Sequence, residues 1–475
     1  MRFRSSATDR YDRAEAMGRE SISRLLLRFS GPAIIASETA AFYNLFDAIW
    51  CGRLGPEALA ALSVANPLMA IYRAIAGGIG VGAASLISRS LGAGKREDAN
   101  RAAGCCISLF FLVSGLLTIV CLMNLESLLR LFGAGESVVP LAYSYMYVET
   151  VSMALDFFLV ILVELIRAGG NPGLASSGTI ISSIVDLIWS PILVFGVGPI
   201  PSLGIAGAAL GTTVGRGVGV AILSMYIGLG KSIYNLGLKD FKLVPKIVVE
   251  VYRIGVSQTL RASAASLSQI VANRAAASFG VVPLAVLGVL FKVNHLVFGV
   301  CMGIGQGMLP LVGYNFGAKK KERVGEVVLK AGLTSFIWGA VSWVFVSLFS
   351  AQIVSLFGTD PSFLSEGAFA LRILALGFFT VGVQNNLSFF FQGIGKALPS
   401  LVVASCRQLL FLTPCLLAMP KIFGLTGLWA AYPVADALSL LLTLSWAVRT
   451  FRNLQIPLHI FSVSQQASTE PKGSA

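Results

Sequence analysis

The chain has 475 residues, 55% of them hydrophobic and 12% charged, about half the charged share of a soluble domain. With a mean hydropathy of +0.79, the apolar surplus exceeds what one buried core holds, and a water-soluble enzyme, a disordered chain and a fibrous repeat are excluded. A net charge of +13 would suggest nucleic acid in a soluble protein, but the Lys and Arg residues cluster in short polar gaps between apolar runs, as in membrane loops, which sets nucleic acid aside.

In chain order, the first 28 residues hold Arg2, Arg4, Arg10, Arg13, Arg19, Arg24 and Arg28. They lack the apolar core and cleavage site of a signal peptide, so residues 1–24 read as a tail that stays in place. Twelve apolar segments follow, centred near Ala40, Ile75, Leu112, Ala154, Ile188, Val218, Leu260, His295, Phe336, Phe379, Leu410 and Leu438. Each has the roughly 20 residues that a bilayer-spanning helix needs. None alternates apolar and polar residues as a barrel strand would. The expected fold is an all-α integral membrane protein, and the polar residues 462–475 read as a disordered tail.

Twelve spans put both termini on one side. Lys95, Arg96, Lys239, Lys242, Lys246 and Lys319 to Lys321 fall on that side, whereas the opposite loops offer little beyond Arg53, Arg130 and Lys421. The positive-inside bias therefore predicts cytoplasmic termini and a multi-pass protein of the cell membrane.

A shift of 225 positions lays one half of the chain on the other. Gly78-Ile79-Gly80-x-Gly82 matches Gly303-Ile304-Gly305-x-Gly307, Gly92-Ala93 matches Gly317-Ala318, and Leu131-Phe132-Gly133 matches Leu356-Phe357-Gly358. Near spans six and twelve the offset becomes 220, pairing Gly204-x-x-Gly207 with Gly424-x-x-Gly427. Each copy holds an even number of spans, so the copies share one orientation and predict two six-helix lobes related by a pseudo-two-fold along the membrane normal. The expected division is an N-lobe over 25–230, a cytoplasmic loop over 231–246, a C-lobe over 247–450 and a cytoplasmic tail over 451–475. Two such lobes enclose a central pathway, the architecture of alternating-access transporters, and one chain suffices as a monomer. The seven cysteines form no CxxC or Cys/His cluster, and no Walker-type loop exists, so neither a metal framework nor ATP-driven transport is indicated.

Tyr43-Asn44-Leu45-Phe46-Asp47, the Gly80-Val81-Gly82-Ala83-Ala84 helix, Arg167-Ala168-Gly169-Gly170-Asn171-Pro172, Gly204-Ile205-Ala206-Gly207, and Arg407-Gln408 together resemble the multidrug and toxic compound extrusion (MATE) family. The resemblance runs from about Leu25 to Arg449 and is greatest to the DinF-type branch. It implies cation-coupled export of amphipathic, mostly cationic compounds in exchange for H+ or Na+, with no cofactor and with small molecules and the lipid bilayer as partners.

Carboxylates in hydrocarbon are costly and mark pathways or paired sites. Of Glu38, Asp47, Glu149, Asp156, Glu164, Asp186 and Asp436, all but the last lie in the first half, which points to the N-lobe as the coupling side. Asp47 matches the family's ion-coupling acid. Span five departs from the family's Asn-x-x-x-Asp-Pro and reads Asp186-x-x-x-Ser190-Pro191; Asp186 and Ser190 share a helix face one turn apart, within water-mediated reach of Asp47. By the same resemblance Thr212 supplies an oxygen, and the oxygens of Asp47, Asp186 and Thr212 suit Na+ as well as a proton relay. Candidate cavity-lining groups are Tyr43, Asn44, Asp156, Gln258, His295 and Gln384. Asp156 and Glu149 lie seven apart on one face and either line the cavity or neutralise Arg73 or Arg216.

The embedded charges of the second half are basic: Arg261, Arg274, Lys292 and Arg407. Either they are paired or masked, or the substrate carries an anionic group. Basic groups also suit a lipid-linked pyrophosphate, so flipping of a lipid-linked sugar is the alternative function. A membrane-embedded enzyme is disfavoured, with His295 and His459 the only histidines.

Overall fold

The computed structural model describes residues 7–457; the expected tail over 462–475 and His459 lie outside them. A short helix α1 (Ala7–Ala16) precedes α2 (Ile22–Leu54), α3 (Pro56–Gly92), α4 (Arg96–Leu131), α5 (Val139–Ala168), α6 (Pro172–Phe195) and α7 (Ile205–Gly228). The second half contains α8 (Pro245–Ala277), α9 (Val281–Gly317), α10 (Lys321–Ser355), α11 (Pro361–Ala375), α12 (Phe378–Gly393), α13 (Ala397–Ser405), a π-helical stretch over Cys406–Leu412, and α14 (Thr413–Leu454). Several starts are capped as their sequences dictate. Asn171 accepts the Leu174 N–H ahead of Pro172, and Asp360 accepts the Ser362 and Phe363 N–H groups ahead of Pro361, which satisfies donors that have no partner inside the helix.

Twelve crossings emerge from these helices. α11 and α12 form one crossing bent by 45°, and α14 holds parts of two, divided at Gly424. By length and composition alone, seven helices are apolar enough to span a bilayer, or eight with the bent pair. The chargeable helices α2, α5 and α8 miss that standard; they carry Glu38 and Asp47, Glu149 and Asp156, and Arg253 and Arg261. Apart from Arg253, which is exposed, these groups are buried or partly buried, so that other helices meet them.

The internal repeat is written in the backbone. Gly204 (φ 57°, ψ −137°) and Gly424 (φ 60°, ψ −144°) take the same conformation ahead of the sixth and twelfth crossings, one that a residue with a Cβ avoids. Asn124 (φ −124°, ψ 16°) and Phe349 (φ −106°, ψ 18°) interrupt α4 and α10 at positions 225 apart. The halves differ at the C-lobe's bent α11–α12 crossing and at its π stretch; α5 and α6, their counterparts, are continuous.

One apolar core runs through the first lobe and continues into those parts of α9, α10 and α12 nearest the chain termini. A second core fills the remainder of the C-lobe. The lobes are therefore sealed against each other on the face that carries the termini. There Arg89 on α3 pairs with Glu250 on α8 at 2.8 Å, and the Ser85 hydroxyl donates to the Gln392 carbonyl at 2.5 Å. The chain around α1 straps this seal. Arg13 donates to Tyr226 at 3.2 Å on the N-lobe side, while Asn315, Lys320 and Arg323 donate to the carbonyls of Met17, Gly18 and Glu20 from the C-lobe side.

Candidate functional site

Two polar centres lie beyond that seal, one in each lobe. In the N-lobe, α7 packs on α6 through a stripe of glycines. A Cβ at Gly211 would collide with Ser190, and one at Gly215 with Ser182, so only glycine allows this approach. The close packing brings Thr212 and Ser190 to one carboxylate: the Ser190 hydroxyl donates to Asp186 Oδ1 at 2.6 Å and the Thr212 hydroxyl to the same oxygen at 3.3 Å. Asp47 of α2 lies beside Ser190 and feels the charges of Asp186, Glu149 and Arg216. The four residues expected at an ion-coupling centre are thus neighbours in space.

A second layer balances this acidity. Buried Arg216 donates to Glu149 at 2.7 Å and stands 3.2 Å from Asp156. Of the alternatives for Glu149 and Asp156, pairing with Arg216 is observed for both; the Asp156 side chain stays 17% accessible and does not line the C-lobe cavity. Tyr43 faces the same layer, within electrostatic range of Arg73, Arg216, Asp186 and Asp156. The side chain of Asn44 lies outside the described residues. Glu164 and Arg167 form a local pair at 2.6 Å. Glu38 sits at the lobe boundary against Gly299 of α9, with Oε1 buried and without a partner among the described residues.

The C-lobe centre is a cavity of about 740 Å³, within the size range of drug-like binding pockets. Gln258, His295 and Gln384 line it, as do Arg261, Lys292 and Arg407. Arg407 is neutralised by Asp436 at 2.5 Å. Arg261 instead meets neutral groups, Asn385 Oδ1 and Gln258 Oε1, each at 2.8 Å. The π stretch gives Arg407 its position, one residue after Cys406, and local patterns of hydropathy carry no signal for such a bulge. Arg261 and Lys292 were legible as embedded cations; that they share one cavity wall depends on the packing of α8 against α9.

Among the described residues no group of three or more His, Cys, Asp or Glu side chains could hold a metal ion. The oxygens around Asp186 come from one carboxylate and two hydroxyls, with Asp47 beside them.

A family model described as MatE matches residues 32–192 and 259–417. Among curated proteins, the chain is 27% identical over 434 residues to a protein of Shewanella oneidensis named FAD transporter, covering 88% of this chain and 92% of that one. It is 25% identical to the multidrug export protein MepA of Staphylococcus saprophyticus, with coverage of 88% and 92%. Its structure superposes with a TM-score of 0.88 on a multidrug resistance MATE family transporter solved in the outward-facing conformation, at 24% identity and over 92% of this chain and 98% of that one.

Proposed function

Since the chain belongs to the MatE family, we propose that it is a secondary active exporter of small amphipathic molecules, working by alternating access in exchange for H+ or Na+. The relatives named for multidrug export and for FAD transport support export of small molecules of differing chemistry. The observation that carries the coupling reading is the convergence of Asp47, Asp186, Ser190 and Thr212 in the N-lobe, apart from the cargo-sized cavity of the C-lobe. An acid that neutralises on taking a proton, or that gathers a hard cation with two hydroxyls, changes the charge buried between helices; such a change biases which side of the lobes closes.

In this reading the N-lobe, 25–230, couples the ion, and the C-lobe, 247–450, receives cargo. The termini lie in the cytoplasm of a cell whose plasma membrane holds the protein as a monomer. The seal between the lobes then faces the cytoplasm, and the conformation is outward-facing. The DinF-type branch is favoured by the acids being concentrated in the first half.

The basic cavity wall favours a second reading, flipping of a lipid-linked sugar through its pyrophosphate. The test of the main reading uses proteoliposomes loaded with ethidium or with flavin mononucleotide under an imposed pH gradient and, separately, a Na+ gradient. Export driven by either gradient and abolished by Asp47→Asn is expected. Gradient-independent movement of both probes, unchanged in Asp47→Asn, would refute coupling at this site.

A further inference from the structure

The two charged centres differ in sign. The N-lobe centre is built of acids around Arg216, whereas among the described residues the wall of the C-lobe cavity contains no Asp or Glu. Three cations lie on that wall, and they are not equivalent. Arg407 has its counter-ion in Asp436. Neither Arg261 nor Lys292 has a carboxylate within 4.0 Å among the described residues.

Arg261 is nevertheless held firmly. It donates to Gln258, Asn385 and, at 3.4 Å, the sulfur of Met302. Those three acceptors take three of the five N–H groups of a guanidinium and leave two. Its carbon lies 6.0 Å from the centre of the Phe389 ring, and the Lys292 ammonium lies 5.3 Å from that of Phe357. Neutral amides and ring faces orient both heads without cancelling either charge. A cation withdrawn from water without a counter-ion is costly; Arg261 is partly buried, and Lys292, exposed on the same wall, adds a second charge beside it. Phe291, Phe298 and Tyr432 add flat apolar surface to the same cavity. The hydroxyls of Ser388 and Tyr432, both on this wall, are buried with no partner among the described residues and can donate as well.

We infer that the C-lobe cavity binds an aromatic anion, a flat apolar body bearing a phosphate or carboxylate, whose charge supplies the missing counter-ion to Arg261 and Lys292. The inference rests on the reading of this cavity as the cargo site and narrows its cargo. The rings lie against Phe291 and Phe357, and the anionic group sits between the guanidinium and the ammonium. A lipophilic cation entering the same space meets two uncompensated charges of its own sign.

The test measures binding to the purified full-length protein in detergent with no gradient present. Flavin mononucleotide, riboflavin and ethidium are the probes, followed by fluorescence anisotropy. The first two share a ring system and differ by one phosphate. Flavin mononucleotide is expected to bind at least about tenfold more tightly than riboflavin, the size of one charge-assisted contact. Arg261→Gln and Lys292→Gln should each remove most of that preference by weakening flavin mononucleotide far more than riboflavin, and Arg261→Lys should keep most of it. Equal affinity for the two flavins, or tighter binding of ethidium, would overturn the proposal. So would undiminished flavin mononucleotide binding by both Gln variants when they elute as monodisperse protein. Displacement by dihexanoylphosphatidylglycerol at lower concentration than by flavin mononucleotide itself would reassign the cations to a lipid headgroup, and also overturns it. Because no gradient is used, flavin mononucleotide binding that survives in a wild type unable to couple transport would sink the coupling reading alone.

Discussion

Arg216 and Asp436 stand at corresponding places in the two halves of the molecule, 220 residues apart like Gly204 and Gly424 ahead of them, and carry opposite charges. Each is buried and each is paired within its own lobe, Arg216 with Glu149 and Asp156, Asp436 with Arg407. A duplicated scaffold thus carries a buried charge at matching places of α7 and α14 with its sign inverted, paired with α5 in the N-lobe and with the π stretch in the C-lobe. The acids it leaves over gather in the N-lobe around Asp47 and Asp186, and the cations it leaves over line the C-lobe cavity.

The first prediction concerns the N-lobe pair. Arg216→Gln strands two carboxylates, of which Glu149 is 1% exposed, and removing one partner of such a buried pair costs about 3–5 kcal/mol. The expected result is a marked fall in thermal stability in detergent, with part of it restored by adding Glu149→Gln. Equal stability of Arg216→Gln and wild type would show that the acids find other compensation.

Gly211→Ala should separate α7 from α6, because the new methyl group meets Ser190. Overpacking of this kind costs about 1–3 kcal/mol. Its effect on transport should exceed its effect on stability, since the displaced contact is the one that aims Ser190 and Thr212 at Asp186. Melting temperature and initial export rate, measured on the same preparation, separate the two effects. Gly217→Ala, where a Cβ meets nothing within 4 Å, is the control expected to leave both unchanged.

The lobe seal yields a third prediction. The Arg89–Glu250 pair is partly exposed, with side chains 20% and 37% accessible, and pairs of this kind contribute at most about 1 kcal/mol. Arg89→Ala should therefore shift the balance between open and closed states only modestly. Truncation before Ser21 removes the contacts that Tyr226, Asn315, Lys320 and Arg323 make with the strap, and it should loosen the seal more. Spin-label distances between the Gly92 end of α3 and the Gly317 end of α9 report this: they should lengthen in the truncated protein and change little in Arg89→Ala. The reverse order would locate the latch in the ion pair.

Much of the architecture was legible in the sequence because bilayer length and glycine placement act locally. The twelve apolar segments and the shift of 225 anticipated the crossings, and the pairing of Gly204 with Gly424 anticipated a shared backbone conformation. Asp186 and Ser190 were expected on one face, one turn apart, and Ser190 does donate to Asp186. What the sequence could not reveal depends on contacts between distant segments. Whether Asp156 faced a cavity or Arg216 was undecided by spacing, because seven residues fix a helix face but not its neighbour. The strap around α1 read only as a basic tail, since on the C-lobe side its hold comes from backbone carbonyls of Met17, Gly18 and Glu20, which no side-chain pattern announces. Arg261, Lys292 and Arg407 looked alike as embedded cations; only the position of Asp436 distinguishes the last.

That distinction carries the final prediction. Arg407→Gln leaves the Asp436 carboxylate, 3% exposed, with no cation beside it, and should cost about 3–5 kcal/mol of stability. Arg261→Gln removes a charge whose protein partners are neutral amides and a sulfur, so no carboxylate is stranded, and the desolvation cost of the cation disappears with it. Its stability should fall by no more than about 1 kcal/mol, the net worth of a hydrogen bond, or rise. Thermal unfolding of both variants, with Asp436→Asn added to each, tests the assignment. Asp436→Asn should rescue Arg407→Gln and do nothing helpful for Arg261→Gln. If the two arginine variants lost stability equally and neither was rescued, Arg407 and Arg261 would have the same structural role, and the division of the wall into one paired cation and two cations awaiting an anion would fail.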